Sequence, residues 1–378
     1  MRLAALVYSD ALSRHVLRDS HPMRPARLRM TADLINAYGL IGPGKGQQID
    51  PRPATDEEIL WFHSPEYLQA IKDFSKGERL PEAIRYNFSP NGDNPYYQGM
   101  YEAAALSTGA SVRAAELLLD GSHTVACNFS GGLHHAMPRY ASGFCVFDDP
   151  VIAIKAFTNR RLKVAYVDID CHHGDGVQYG FYDTDQVLTI SLHESGRFLF
   201  PGTGDVDEIG TGRGRGYSVN LPLFPYTADD HYLWAFREVV PPLLRAFKPD
   251  VLVTQLGIDT HYKDPLTHLQ LSVQGFGEVV SELGKESPGK WLALGGGGYD
   301  LAAVMRGWTL AFSTMADVSL PNDIPLTMQT AYGIRSLKDV DLPQRDLRQR
   351  SDALRFAEES VAAVKRTIFP FHGLSGLA

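Results

Sequence analysis

Short apolar runs alternate with amphipathic stretches along this chain of 378 residues, without an internal repeat or a low-complexity linker. Six of the runs predict strands, at residues 3–8, 124–129, 163–168, 187–191, 251–256 and 291–294. Several are rich in Val and Ile, which is typical of strands buried on both faces of a parallel sheet. The alternation therefore predicts an α/β fold, in which helices flank a parallel sheet.

The amphipathic stretches between these runs predict the helices. They lie at residues 25–37, 65–74, 97–119, 150–158, 229–247, 272–283 and 301–315, with a last helix at 351–365. The chain is longer than an ordinary domain, but α/β folds reach this size as one unit. We therefore expect a single domain over residues 1–378, with a core to about residue 320 and a C-terminal extension that carries the last helix.

Composition argues against several classes of function. With 36 Lys+Arg against 44 Asp+Glu, the formal charge is −8, whereas nucleic-acid binding requires a basic face. The three cysteines, Cys127, Cys145 and Cys171, are too few and too irregularly spaced for a disulfide framework or a cysteine-based zinc site. Charged residues soon follow the apolar run at 3–8, so it predicts neither a signal peptide nor a membrane span. We expect a cytoplasmic protein without nucleic acid or membrane as a direct partner.

Polar motifs follow four of the predicted strands, at the point where each strand ends. They are His134-His135, the run from Asp168 to His172, Asp259, and the glycine run 295–298 with Tyr299. In open α/β sheets, ligands bind at the carboxyl ends of the strands. We therefore expect the four segments to meet at one edge of the sheet and to form one site.

A carboxylate and an imidazole, Asp170 and His172, stand two positions apart directly after a buried strand. Residues i and i+2 of extended backbone project to the same side, and Asp259 after another strand supplies a third ligand. Two carboxylates and one imidazole suit catalytic zinc, while iron(II) or cobalt would also fit. A solvated loop is the alternative, but five ionisable groups within residues 168–175 would be costly there without a cation.

The glycine turn before His134 and His135 delivers two adjacent imidazoles. Beside a metal-bound water, such a pair can remove a proton and pass it to a leaving amine. Asp168 and Asp175 are available to bond the second ring nitrogens and to set the tautomers. Tyr299, after four glycines, could hydrogen-bond the oxyanion of a tetrahedral intermediate. The glycine run lacks the Lys or the Gly-x-Gly-x-x-Gly spacing of a phosphate loop.

Together these segments resemble the zinc-dependent histone deacetylase family, and within it the class I-like bacterial branch that includes acetoin-utilisation proteins. The most specific segment is Tyr166-Val-Asp-Ile-Asp-Cys-His-His-Gly-Asp-Gly176. The other matching segments lie, in the family's order, at residues 21–27, 131–135, 141–145, 201–205, 255–259 and 295–299.

The resemblance implies an arginase-like three-layer αβα sandwich around an eight-stranded parallel sheet. It also implies a metal-dependent amidohydrolase that deacetylates acetyl-lysine side chains of proteins, with zinc on Asp170, His172 and Asp259. Its partners would be acetylated proteins or peptides, an acyl-CoA synthetase among them.

The resemblance further implies roles for individual residues. His135 resembles the general base, His134 its electrostatic partner, and Tyr299 the residue that polarises the acetyl carbonyl. The tunnel around the lysine methylenes and its rim would be formed by Gly143, Phe144, Phe200, Leu266 and the carboxylate of Asp93. Arg27 matches an arginine near an acetate exit channel.

Two structural potassium ions are also implied. The first would use Asp168, Asp170, His172, Ser191 and Leu192. The second would use backbone oxygens of Phe181, Thr184, Val187 and Tyr217.

The chain departs from the family at three positions. Pro265 and Ala302 stand where relatives that bind inositol phosphate carry arginines, which argues against a corepressor subunit. His261 stands where arginase-like relatives carry a further metal-binding Asp, and we interpret it as a rim residue or a residue behind the ligands.

Three other functions remain open. An acetylpolyamine-type amidohydrolase would share the chemistry but not the substrate. A non-catalytic acyl-lysine binding protein would keep the pocket without turnover. An arginase-type enzyme would need two metal ions per chain.

Overall fold

The computed structural model describes residues 4–14 and 17–376, so Leu3 of the first predicted strand lies outside the described residues. Within those ranges, eight strands form one sheet: β1 (Ala4–Val7), β2 (Gln47–Ile49), β3 (Val125–Asn128), β4 (Val164–Asp168), β5 (Val187–Glu194), β6 (Ser218–Leu223), β7 (Val251–Gln255) and β8 (Trp291–Leu294). All neighbouring pairs are parallel, in the order β2-β1-β3-β8-β7-β4-β5-β6.

Eleven α-helices occur in the same described ranges. They are α1 (Ala26–Ala37), α2 (Asp56–Ile59), α3 (Pro65–Ser75), α4 (Met100–Leu119), α5 (Asp149–Thr158), α6 (Asp175–Phe181), α7 (Asp229–Phe247), α8 (Val273–Glu286), α9 (Leu301–Met315), α10 (Leu326–Tyr332) and α11 (Leu347–Thr367). Side-chain caps fix where several of them begin, because Ser64, Ser272 and Asp300 accept backbone N–H groups at the starts of α3, α8 and α9.

The helices form two layers because the connections between strands run in two directions. The crossovers through α4, α5 and α6 move one way across the sheet, and those through α1, α7 and α8 move the other way. Right-handed crossovers of opposite direction lie on opposite faces of a sheet. The predicted three-layer αβα sandwich with eight parallel strands is confirmed.

Both strands that the apolar pattern missed lie at the edges of the sheet. β2 is a short, largely exposed segment, Gln-Gln-Ile, and β6 contains Pro222, which argues against a strand in a sequence pattern. Three helices of seven residues or fewer, α2, α6 and α10, were also not predicted. The edge of the sheet at β6 is packed against α11, which also contacts α7.

The core around the sheet is apolar. Trp291 and Trp308 are fully buried, and the indole of Trp308 donates to the Leu256 carbonyl at 2.7 Å.

Among the described residues, no helix is both long enough and apolar enough to cross a membrane.

The strand register explains why four loops meet. Asp168 at the end of β4 lies beside Gln255 of β7, and Gln255 lies beside Leu294 of β8, which in turn pairs with Asn128 of β3. The strands therefore end in one row, and the loops after them open at the same edge of the sheet.

Candidate active site

Asp170, His172 and Asp259 form a compact buried cluster at this edge. The ligand atoms of the three side chains lie within 4.8 Å of one another. His172 Nδ1 is 3.2 Å from Asp170 Oδ1 and 3.0 Å from Asp259 Oδ2. The loop after β4 supplies the first two side chains and the loop after β7 the third.

Hydrogen bonds from outside the cluster orient both carboxylates. Asp170 Oδ2 accepts from the side-chain amide of Gln255 and from the backbone N–H of Gly297, each at 2.7 Å. Asp259 Oδ1 accepts from the backbone N–H of Cys171, also at 2.7 Å. One oxygen of each carboxylate is thereby held in place, while the other faces His172.

The donor set fits a divalent cation. Burial, together with the charge of Asp170, raises the pKa of Asp259 to about 6, so two adjacent buried carboxylates are costly without a positive charge. Two carboxylate oxygens and one imidazole nitrogen are suitable ligands for zinc, and also for iron(II) or cobalt. These three residues would hold the ion.

The glycine run after β8 allows the backbone to contact the cluster. A Cβ atom at Gly297 would lie 1.9 Å from Asp259 Oδ2, a distance at which the two atoms would clash. The position therefore has room for glycine only. The close approach permits the Gly297 N–H to reach Asp170. A larger residue at this position would displace a predicted metal ligand.

His134 and His135 lie side by side, and each is held by its own carboxylate. His134 Nδ1 donates to Asp168 Oδ2 and His135 Nδ1 donates to Asp175 Oδ1, both at 2.7 Å. The two Nε2 atoms are 3.1 Å apart. The Tyr166 hydroxyl also donates to Asp168 Oδ2, at 2.7 Å. Because both Nδ1 atoms are bonded to acceptors, the Nε2 atoms are the ones available to the reaction.

The two histidines have opposite pKa shifts. Burial opposes a charge on His134, but the neighbouring charges of Asp168 and Asp170 outweigh it and raise the pKa to about 9. Burial lowers the pKa of His135 to about 4, assisted by the charge on His134 and opposed by Asp175. A cation in the cluster would lower both values. At neutral pH, His135 is therefore the neutral member of the pair, which can accept a proton.

Tyr299 follows β8, and its backbone is held by Asp264 from the loop after β7. Its backbone N–H donates to Asp264 Oδ2 at 2.8 Å, and its ring lies edge-on to Phe144, with the ring centroids 5.8 Å apart. Burial raises the pKa of Tyr299 well above its usual value, so the phenol stays protonated and can donate a hydrogen bond.

Two aromatic rings, Phe200 and Phe144, lie beside predicted site residues. The Phe200 ring lies 5.1 Å from His135 and 6.4 Å from His172, measured between centroids. Gly143 has φ +50°, and a Cβ atom there would lie 2.3 Å from His135 Cδ2. Only glycine allows the backbone at position 143 to lie this close to the His135 ring.

The remaining predicted rim residues, Asp93 and Leu266, lie at the surface. Asp93 is exposed, and its backbone carbonyl accepts from His21 Nε2 at 3.1 Å. Leu266 is 36% exposed and donates its backbone N–H to Asp264 Oδ1. Both positions are open to a substrate approaching from solvent.

Arg27 is buried behind Tyr299. Its guanidinium donates to the Gly298 carbonyl at 3.1 Å and lies 5.0 Å from the centroid of the Trp308 ring. It lines a cavity of about 110 Å³, together with Leu133 and Phe144. The exit channel that the resemblance implies at Arg27 stays a prediction.

The residues predicted to bind potassium lie in two separate places. Asp168 lies beside Ser191 in the β4–β5 register, close to the cation cluster. The second set lies towards the start of β5, where Val187 begins the strand. The Thr184 N–H bonds to the Phe181 carbonyl at 3.4 Å, and the Tyr217 carbonyl accepts from the backbone of Thr189 at 2.9 Å.

His261 is buried and is not part of the cluster. It is 1% exposed, its Nδ1 accepts from the Lys263 N–H at 3.2 Å, and its Nε2 donates to Asp339 at 3.0 Å. Within residues 4–14 and 17–376, Asp170, His172 and Asp259 are the group close enough to hold a metal ion. A second metal site of the arginase type therefore has no support from His261.

Several residues that position the site were not predicted. Gln255, Tyr166 and Asp264 each hold a predicted site residue, and Asn94 Oδ1 accepts the backbone N–H of Phe144 at 2.9 Å. Gln255 stands at the end of a predicted strand, and a polar residue at that position could have indicated a site residue from the sequence. The other contacts join distant parts of the chain, so sequence spacing does not reveal them.

Comparison with known proteins agrees with this geometry. Residues 21–315 match the histone deacetylase domain. The chain is 39% identical over 333 residues to the acetoin utilization protein AcuC of Bacillus subtilis strain 168, covering 86% of this chain and 85% of that protein. It is 38% identical over 320 residues to AcuC of Staphylococcus aureus strain MRSA252, covering 83% and 82%.

Two solved structures are similar over most of their length. One is an HDAC homolog complexed with SAHA, with a TM-score of 0.83 and 31% identity, and the other is an HDAC homolog from Aquifex aeolicus, with a TM-score of 0.84 and 30% identity. Each similarity covers 95% of this chain and 100% of the other. The chain belongs to the histone deacetylase family.

Proposed function

We propose that this deacetylase-family enzyme is a zinc-dependent lysine deacetylase that hydrolyses acetyl-lysine side chains of proteins or peptides. The observation that carries the proposal is the arrangement around the buried Asp170–His172–Asp259 cluster. An imidazole pair lies at its side, the Phe200 ring packs against His135 and His172, and the phenol ring of Tyr299 packs against Phe144. The combination suits hydrolysis of an amide at the end of a slender chain.

In this proposal Asp170, His172 and Asp259 hold the ion. Bound zinc would supply Lewis-acid polarisation of the amide carbonyl and would lower the pKa of water. Gln255 and Gly297 keep the carboxylate of Asp170 in position for this role.

His135 acts as the general base and then as the general acid. Its Nδ1 proton is held by Asp175, so Nε2 accepts the proton of the attacking water. The resulting imidazolium is stabilised by the same carboxylate and returns the proton to the leaving lysine amine. His134, whose pKa is raised by Asp168 and Asp170, supplies the adjacent electrostatic stabilisation.

Tyr299 donates a hydrogen bond to the oxyanion that develops as the carbonyl carbon becomes tetrahedral. Its raised pKa keeps the proton on the phenol, and its anchored backbone limits the loss of entropy on reaction. The half-buried ring of Phe144 packs edge-on against it.

The substrate is proposed from the shape and chemistry of the entrance. Phe144 and Phe200 can contact a chain of methylenes, while the carboxylate of Asp93 at the surface can accept hydrogen bonds from a peptide backbone. We extend the proposal to an acetylated acyl-CoA synthetase as a partner, to structural potassium at the two predicted sets, and to a cytoplasmic location.

Turnover of matched substrates tests the proposal. The zinc-loaded full chain is assayed with an acetyl-lysine peptide and with N-acetylputrescine, each by release of acetate. We expect the peptide to be hydrolysed with the higher kcat/KM. Turnover of acetylputrescine alone would show that the substrate is an acetylated polyamine and not a protein. Tight binding of the peptide without any hydrolysis would indicate a non-catalytic acyl-lysine binding protein.

A further inference from the structure

The C-terminal extension contributes a buried carboxylate to the back of the active-site loop. Asp339 lies beyond residues 21–315, which match the family domain, and its side chain is 2% exposed. It accepts hydrogen bonds from His261 Nε2 at 3.0 Å, from the Val273 backbone N–H at 2.7 Å, and from Arg306 Nη1 at 2.7 Å. Asp339 thus joins the loop after β7, the start of α8, and α9.

The bonds to Asp339 specify one state of the His261 ring. The Lys263 N–H donates to Nδ1 at 3.2 Å, so Nδ1 carries a lone pair and the ring proton is on Nε2, which faces Asp339. Burial acts to raise the pKa of Asp339, but the hydrogen bonds from His261 and Val273 lower it below its usual value. Oδ2 of the ionised carboxylate accepts from His261 and Val273, and Oδ1 accepts from Arg306.

The backbone of His261 connects this carboxylate to the reacting groups. The His261 N–H donates to the Ile258 carbonyl at 3.1 Å, directly before the cluster residue Asp259. The His261 carbonyl accepts from the Asp264 N–H at 2.8 Å, and Asp264 in turn holds the backbone of Tyr299. One turn thus carries both a metal ligand and the anchor of the oxyanion donor.

We propose that Asp339 is a positioning residue, which acts through His261 to fix the turn that bears Asp259 and Asp264. The extension is then a working part of the active site, and the shared domain of residues 21–315 depends on it. The kinetic part of this inference rests on the proposed deacetylase function, whereas its effect on metal binding does not.

Asp339→Asn tests the inference most directly, because it keeps the side-chain volume and removes the charge. An amide has one acceptor oxygen in place of two and turns an N–H₂ group towards the existing donors. We expect kcat with an acetyl-lysine peptide to fall about tenfold while KM stays within about twofold, and the affinity for Co²⁺ alone, followed by its absorption spectrum, to fall about tenfold.

His261→Phe and the double variant show whether the effect passes through the histidine. We expect His261→Phe to reproduce the loss, the double variant to lose no more than either single one, and His261→Gln, which keeps an N–H donor and an acceptor, to retain most of the Co²⁺ affinity. His261→Phe also serves as the test if Asp339→Asn does not fold.

Asp346→Ala is the matched control within the extension. Asp346 caps α11 by accepting the Gln349 N–H at 2.7 Å and is exposed, so its removal should lower thermal stability without changing kcat or Co²⁺ affinity. If the Asp339 variants behave like this control, or if their losses add in the double variant, the inference is overturned. If the wild type binds Co²⁺ but hydrolyses no acetyl-lysine peptide, the proposed function fails while the Co²⁺ measurements still decide the role of Asp339.

Discussion

The floor of the site and its rim are built in different ways. We define the floor as Asp168, Asp170, His172, Asp259, His134 and His135, and the rim as Asp93, Phe200 and Leu266. Every floor residue is at most 8% exposed, whereas Phe200 is 46% and Leu266 is 36% exposed. Floor side chains are linked to one another or to neighbouring groups by hydrogen bonds of about 3 Å. The rim side chains project from loops.

This difference separates the chemistry from the choice of substrate. Groups locked by buried hydrogen bonds keep the precise geometry that bond breaking needs, because moving one would leave a buried partner unsatisfied. Exposed loop residues can be exchanged at little cost to stability. Variants of the floor should therefore change metal content or kcat, and variants of the rim should change KM.

Asp259→Ala should have the largest effect. It removes one of three proposed metal ligands and leaves the Cys171 N–H without its acceptor. We expect the purified variant to retain no zinc by elemental analysis and to lose more than about 10³ in turnover, since metal polarisation contributes several kcal/mol. Asp259→Asn, which preserves the volume, is the control for packing. Full zinc content in Asp259→Ala would remove this residue from the ligand set.

Tyr299→Phe should lower kcat by about 10²–10³, the usual scale for one oxyanion donor. Its backbone bond to Asp264 and its ring contact with Phe144 do not involve the hydroxyl, so the fold and the zinc content should be unchanged. Steady-state kinetics with zinc content measured in parallel give the answer. An unaltered kcat would exclude Tyr299 from the chemistry.

The contrast between the two regions also explains what the sequence could predict. Asp170 and His172 follow a buried strand with i, i+2 spacing, so their convergence is a local property of extended backbone. The central strands of the sheet were predicted because both of their faces are buried. The edge strand β6 was missed because Pro222 interrupts its pattern, and only the family resemblance implied eight strands.

Contacts between distant segments were beyond such reasoning. The bond from His261 to Asp339 spans 78 residues, and the bond from Phe144 to Asn94 spans 50. Neither partner has a periodic pattern or motif that identifies the other. These contacts depend on how loops and the extension pack, which is decided by the whole fold.

Asp175→Asn should have an intermediate effect and shift the pH dependence. Asp175 raises the pKa of His135 against burial, so removing its charge lowers that pKa further. His135 then stays neutral to lower pH, and the acid limb of the kcat/KM profile should move to lower pH. Weaker stabilisation of the imidazolium should reduce kcat by about 10–100-fold. A limb that moves to higher pH would contradict the assignment of His135 as the base.

Leu266→Ala should have the smallest effect, and it tests the rim without disturbing the floor. The hydrogen bond from Leu266 to Asp264 uses the backbone N–H, so it survives the change. Phe200 is less suitable because its ring contacts His135 and His172, and its replacement would disturb floor and rim together. A buried Leu side chain contributes about 1.5–3 kcal/mol, and a partly exposed one that a substrate covers incompletely contributes about 1 kcal/mol. That energy corresponds to about a fivefold rise in KM at constant kcat for an acetyl-lysine peptide. A fall in kcat at constant KM would instead place Leu266 with the floor, because the loop that carries it also holds Asp259 and the anchor of Tyr299.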